Sequence, residues 1–219
     1  MSEFEAGHRV YPHVFLDANA LVRLASSLSH HYIDPLRRMS RIRVLMEEGV
    51  LRVATASYLL GKADFLIREK RDISIRGDIR IVLDELRKAT ENNWLTIVSD
   101  EDLSRMDPVR ATMYNAIASR WYRVLADRDM EDAKMLKYAA IAYVKFCVIR
   151  SRTGYYTPTY ILIVSDDDDV YSNRRTPNYE LIAALREVSE SIHVQRHPKK
   201  LVSVAKWEKF KEYVKHLTR

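Results

Sequence analysis

The sequence predicts an α/β fold of three layers, α/β/α, with helices on both faces of a central, mainly parallel sheet. Three observations point there. Short apolar runs alternate along the chain with stretches of helical periodicity, the pattern of strand–helix–strand units. The run 160–164 (YILIV) is the most apolar, β-branched run in the chain, as expected of a central strand buried on both faces. No repeat, low-complexity tract or linker divides the 219 residues. A single domain over 1–219 is therefore expected, long enough for a well-buried core.

Each element has its own signal. His13–Leu16 is a short apolar run that ends in Asp17, so a buried strand would present a carboxylate at its C-terminal end. Residues 20–29 are predicted helical. Asp34 followed by Pro35 reads as an N-cap and first helical position, with Leu36, Met39, Ile42 and Leu45 at helical spacing and Gly49 as the stop. Residues 50–54 read as a strand, and Thr55 or Ser57 can cap a helix over 58–69. A charged segment at 69–78 leads to a helix over 79–90, a strand over 94–98 and an acidic turn at 99–102. Helices are expected over 113–125 and 132–149, the second burying Met135, Leu136, Ala139, Ala140, Tyr143 and Val144. A loop at 151–158 precedes the strand 160–164, which runs directly into Ser165 and four consecutive aspartates. A turn at 172–178, a helix over 179–188 and a strand over 191–194 follow. The segment 202–217 is expected to be one Lys-rich amphipathic helix with Trp207, Phe210 and Val214 along its apolar stripe.

Composition bounds the function. Apolar residues are 47% and charged residues 30%, ordinary for a globular protein, and no apolar run is long enough to span a bilayer. The N-terminal segment has no apolar core of signal-peptide type, and the one cysteine, Cys147, excludes a disulfide framework and a Cys-based zinc site. A cytoplasmic location without membrane association is expected. The single glutamine, with abundant Arg, Tyr and Ile, fits a thermophilic source. The net charge of +6 and the pI near 9.3 suit a polyanionic partner, because attraction to phosphates is long-ranged and non-specific. A merely solvated basic surface has the same composition.

Inside this basic chain sit strong acidic clusters. In open parallel sheets, ligands bind beyond the carboxyl ends of the strands. If the strands 13–16 and 160–164 are neighbours, Asp17 meets Asp166, Asp167, Asp168 and Asp169 in space. Crowded carboxylates repel unless protons or a cation neutralise them. An all-oxygen ligand set suits Mg²⁺ or Mn²⁺ rather than zinc, and metal-assisted phosphodiester hydrolysis is the natural chemistry. The structural alternatives are specific too. Asp17 and Asn19 can cap the following helix, the aspartate run can be a solvated turn, and Asp132 can be favoured by a helix dipole.

The segment Val14-Phe15-Leu16-Asp17-Ala18-Asn19 resembles the opening strand of PIN domains, an apolar run ending in Asp-x-Asn. Ile163-Val164-Ser165-Asp166-Asp167-Asp168-Asp169-Val170 is similar to their late motif, apolar-Ser/Thr-x-Asp-x-Asp-apolar. On this alignment Asp167 and Asp169 match the family's acids and Ser165 its hydroxyl, although a one-residue slip would choose Asp166 and Asp168 instead. Glu131-Asp132-Ala133 looks like the family's helix-start aspartate and nominates Asp132. The resemblance covers roughly residues 13–195 and implies a PIN-like fold, with additional helices at about 69–130 between the third helix and the later strands. It implies a metal-dependent endoribonuclease using Mg²⁺ or Mn²⁺, either the toxin of a toxin–antitoxin pair or an RNA-processing enzyme. RNA, an antitoxin or a second copy of the chain are the partners it suggests. The family's glutamate, at the start of the helix after the second strand, has no counterpart in Thr55-Ala56-Ser57-Tyr58-Leu59-Leu60. Asp64 is the substitute within reach, and Glu69 lies further along.

For a nucleic-acid surface the candidates are Arg41 on the second helix and Arg174 and Arg175 just past the aspartate run. Trp121, Tyr122, Tyr155 and Tyr156 are candidates for base stacking, against a structural role in core or loop. Three functions follow: the metal-dependent nuclease, a nucleic-acid-binding or scaffolding protein on the same fold that has lost activity with the glutamate, and a phosphotransfer enzyme using Asp17 as nucleophile. The third is weakened by Ala-Asn-Ala-Leu after Asp17, where haloacid-dehalogenase-type phosphatases carry a second aspartate and a threonine.

Overall fold

The computed structural model describes residues 13–33, 40–69, 78–125, 129–150, 155–157, 159–172, 176–188 and 201–217. In chain order the elements are β1 (His13–Leu16), α1 (Ala18–Ile33), α2 (Arg41–Glu47), β2 (Arg52–Ala56), α3 (Ser57–Glu69), α4 (Ile79–Glu91), β3 (Leu95–Val98), α5 (Asp100–Ser104), α6 (Pro108–Leu125), α7 (Met130–Phe146), β4 (Val148–Arg150), β5 (Tyr155–Thr157), β6 (Ile161–Val164), α8 (Asp168–Ser172), α9 (Thr176–Val188), β7 (Val202–Ala205) and α10 (Trp207–His216). Five strands form one all-parallel sheet in the order β3-β2-β1-β6-β7. Among the described residues, β4 and β5 make a separate antiparallel pair.

The strand order follows from burial. β1 and β6 are buried at every position, so each needs a neighbour on both edges and a helix on both faces. They lie side by side, with Leu16 opposite Val164. Helices α1, α3 and α4 pack on one another on one side, while α7 covers β1, β2 and β3 on the other, backed by α6, which also packs on α9. This is the three-layer α/β/α arrangement. The largest fully buried side chains include Trp121, Tyr143, Phe15 and Phe210. The Trp121 indole donates to the Pro177 carbonyl at 2.8 Å, tying α6 to the start of α9.

Local signals explain most element ends. Asp78 and Asp129 accept first-turn backbone N–H groups of α4 and α7. Gly49 has φ +69°, the left-handed conformation that terminates a helix at little cost to glycine. The residues read as an acidic turn form the short helix α5, because Ser99 and Asp102 make a reciprocal capping box. The stretch 69–130 contributes the edge strand β3 as well as helices.

Further expectations are corrected. The helix expected over 132–149 ends at Phe146 and is followed by strand β4, and the expected loop at 151–158 contains strand β5. Residues 202–217 are not a single helix: Val202–Ala205 is the edge strand β7, paired in register with Ile161–Val164. Its alternation of apolar and small residues is weak locally. The pairing is specified from a distance, by the exposed edge of β6 and by Asn178, whose side-chain oxygen accepts the N–H groups of Leu201 and Val202 at 2.7 and 3.0 Å. The expected helix start at Asp34-Pro35 and the expected strand at 191–194 lie outside the described residues.

Candidate metal centre

The sheet order reverses between β1 and β6, since the chain moves outward to β2 and β3 from one side of β1 and to β7 from the other. Loops leaving such neighbouring strands diverge to opposite faces and open a crevice at their carboxyl ends. Asp17 leaves β1 and Ser165 leaves β6 at this point. The Asp17 N–H donates to the Val164 carbonyl at 3.1 Å, so the two strand ends are held together by backbone.

Asp17 is buried and doubly held. Its Oδ1 accepts the Ala20 N–H at 2.7 Å, the capping bond foreseen for α1, and its Oδ2 accepts the Ser165 hydroxyl at 2.5 Å. Ser165 in turn accepts the Asp167 N–H at 3.0 Å, and Asp167 accepts the Asp169 N–H at 2.9 Å. This chain of bonds fixes the aspartate run on Asp17. From the other side, α7 begins with Asp129 and brings in Asp132, whose Oδ2 is buried without a hydrogen-bond partner among the described residues. Ligand oxygens of Asp129, Asp132 and Asp169 lie within 4.8 Å of one another. A crevice of about 60 Å³ between these elements is lined by Asp17, Asn19, Asp129, Asp132 and Asp167, with Tyr58 and Lys62 from α3.

Electrostatics mark the same place. Burial, then Asp167, Asp129, Asp169 and Asp17, push the Asp132 carboxyl up from its ordinary 3.8 to about 7. Burial raises Asp17 to about 6, against the lowering effect of its bonds from Ser165 and Ala20. Negative charges are assembled here with too few positive charges to balance them. The donors are all carboxylate oxygens, one of them buried and unpartnered, and such a set fits a hard divalent cation held by Asp129, Asp132 and Asp169.

The four consecutive aspartates divide into two pairs. Asp167 and Asp169 act on Asp132 from across the crevice. Asp166 turns away: its Oδ1 accepts the Trp207 N–H of α10 at 3.0 Å, and its Oδ2 lies 2.7 Å from the Arg23 Nε. Asp168 is exposed and paired with Lys206. Asp167 and Asp169 are thus the two of the run on the Asp132 side, while Asp166 and Asp168 are engaged with Trp207, Arg23 and Lys206. Asp129 was not foreseen. Its signal was available, an aspartate three residues before another at a helix start, but an N-cap reading explains it equally well.

Other candidates fall elsewhere. Asp64 is not part of the cluster: α3 buries Leu59, Ala63 and Ile67, which turns position 64 outward to an ion pair with Arg68 (2.8 Å) and a separate groove beside Arg80 and Asp84. The α3 residues that line the crevice are Tyr58, Leu59 and Lys62, and Lys62 pairs with Glu131. Arg41 donates to the Leu217 carbonyl at the far end of α10 from Asp166, so it ties α2 to α10 rather than facing the acids. Glu69 ends α3 on the exposed surface. Arg174 and Arg175 lie outside the described residues. Trp121 is fully buried and unavailable for stacking, whereas Tyr122 is partly exposed. The side chains of Tyr155 and Tyr156 lie outside the described residues. No helix among the described residues is long and apolar enough to cross a membrane. No protein-family model matches the chain, and no curated protein matches it either.

Proposed function

We propose that this chain is a metal-dependent endoribonuclease resembling PIN-domain enzymes, with Mg²⁺ or Mn²⁺ bound by the aspartates at the β1/β6 crevice. One observation carries the reading. Asp17, Asp129, Asp132 and Asp167, from three separate stretches of chain, line one crevice, Asp169 offers an oxygen within 4.8 Å of those of Asp129 and Asp132, and a buried Asp132 oxygen lacks a partner among the described residues. Such an arrangement is costly for folding alone, and perturbed groups of this kind cluster at functional sites. A divalent ion bound there supplies charge neutralisation for a phosphodiester and a water of lowered pKa. The chain's own residues do the positioning. Ser165 and the Ala20 N–H aim the Asp17 carboxylate, and the Asp129 cap sets the first turn of α7 so that Asp132 points inward. Asp17 has both oxygens engaged, which disfavours its use as a nucleophile in phosphotransfer. RNA fits the +6 charge, and an antitoxin or a second copy of the chain are partners consistent with the resemblance.

A second reading has an observation of its own. No glutamate of α3 faces the crevice; Tyr58 and Lys62 do, and Lys62 brings to the crevice a positive charge, paired with Glu131, in place of a further acid. A nucleic-acid-binding or scaffolding protein with an impaired centre follows from that. One experiment separates the two. Incubate a structured RNA and Mn²⁺ with the wild-type chain and with an Asp17→Asn, Asp167→Asn double variant. Cleavage by wild type alone is expected; equal cleavage by both proteins, or none by either, defeats the nuclease reading. Calorimetric titration with Mn²⁺ then reports whether the cluster holds metal at all.

A further inference from the structure

We propose that the tyrosine-lined groove beside the acidic crevice binds an unpaired base of a single-stranded RNA and so presents the adjoining phosphate to the carboxylates. The choice of substrate rests on the nuclease reading above. Size makes the first argument. The crevice of about 60 Å³ has room for an ion and its water, a water occupying about 30 Å³ of liquid. Pockets that hold organic ligands run to roughly 300–1,000 Å³, so a nucleotide must be gripped outside the crevice. A groove of about 680 Å³ adjoins it, formed by α3, α5, α6 and α7, and Tyr58 and Glu131 line both spaces.

The chemistry of the lining makes the second. Tyr58 and Tyr122 bring partly exposed rings to the groove, and the buried Tyr114 and Tyr138 complete its aromatic lining. On α7, Lys134, Lys137, Tyr138 and Ile141 recur at helical spacing and so share the face that lines it. The Lys134 ammonium stands 4.4 Å over the Tyr58 ring, and neither Lys134 nor Lys137 forms an ion pair among the described residues. Rings for stacking, with cations to follow a backbone, are the combination that binds single strands without reading their sequence. The Asp100 carboxylate, which accepts the Tyr138 hydroxyl at 3.0 Å, offers acceptor oxygens to an exocyclic amine. A duplex hides its base faces in the stack and cannot use such a groove. The Tyr122 ring is partly exposed, so it is the ring to alter without emptying the core.

The test is fluorescence anisotropy of a labelled single-stranded RNA octamer, and of the same octamer in a duplex, titrated with the full chain in EDTA so that no cleavage occurs. Tighter binding of the single strand is expected, together with a loss of roughly tenfold or more in Tyr122→Leu, recovery in Tyr122→Phe, and a shallower salt dependence in Lys137→Ala. Circular dichroism melting of each variant verifies folding. Equal affinity for duplex, a Tyr122→Leu affinity within twofold of wild type, or no binding of RNA overturns the proposal; the last result leaves the groove to a protein partner. Binding in EDTA is independent of catalysis. Tyr122-dependent binding without any cleavage would sink the nuclease reading alone, and cleavage with Tyr122-independent binding would sink the groove alone.

Discussion

Asp132 has a buried carboxylate oxygen without a partner, and its pKa of about 7 ties it to pH. The folded protein holds this proton up to about pH 7, whereas an unfolded chain releases it near its ordinary 3.8. Between these values the folded state binds more protons, so this group's contribution to stability falls as pH rises through the window and is least above it. Asp17, raised to about 6, adds a slope of the same sign over a narrower range. Asp132→Asn removes the charge and nearly keeps the shape. The metal-free variant should be more stable than wild type at pH 8 by about 1–3 kcal/mol, after allowance for solvent screening, and the advantage should shrink toward pH 4. Thermal melts in EDTA at several pH values check this. A variant less stable at pH 8 than wild type would show that the carboxylate is satisfied in the fold, and the case for a cation would fall with it. The same substitution should weaken Mn²⁺ binding, because proton and metal compete for the same oxygens.

At the scale of elements, the helix α10 depends on a residue far from it in sequence. Lys206 precedes it without a side-chain cap, and Asp166 accepts the N–H of Trp207 in its place while approaching Arg23 of α1. A carboxylate at a helix N-terminus satisfies an orphan donor and meets the positive end of the dipole. Asp166→Ala should therefore destabilise the protein by about 1–2 kcal/mol in urea unfolding while leaving Mn²⁺ affinity nearly unchanged. Asp169→Asn should do the reverse. If Asp166→Ala costs metal affinity and Asp169→Asn does not, the division of the aspartate run into crevice and scaffold is wrong. Consecutive residues turn to different sides as the chain leaves a strand, so two of four adjacent aspartates reach the crevice and two reach α10 and Lys206.

Across the whole molecule, the site exists because α7 and the sheet are held in one relation. α7 crosses β1, β2 and β3, and α6 buttresses it from behind while also packing on α9. Trp121 is a fully buried side chain of α6 there, with its indole bonded to the Pro177 carbonyl of α9. Trp121→Ala leaves a large cavity and an unpaired carbonyl, and a loss of about 3–5 kcal/mol is expected from chemical unfolding. Because α7 carries Asp132 and is capped by Asp129, Mn²⁺ affinity should fall as well. A loss under 1 kcal/mol would mean that the α6–α9 junction does not support the fold.

Periodicity and burial by themselves determined the α/β class, the strands His13–Leu16 and Ile161–Val164, most helices, and the placing of Asp17 and the aspartate run at strand ends. These are local properties: an apolar run needs cover on two faces wherever it lies. Only the tertiary structure decided which strands are neighbours, that Val202–Ala205 completes the sheet, that Asp129 joins the cluster, and that Asp64 leaves it. Strand pairing is chosen by partners remote in sequence. A helix residue's direction is set by which face the core claims, and on α3 the core claims Leu59, Ala63 and Ile67, which turns Asp64 toward Arg68 and Tyr58 and Lys62 toward the crevice.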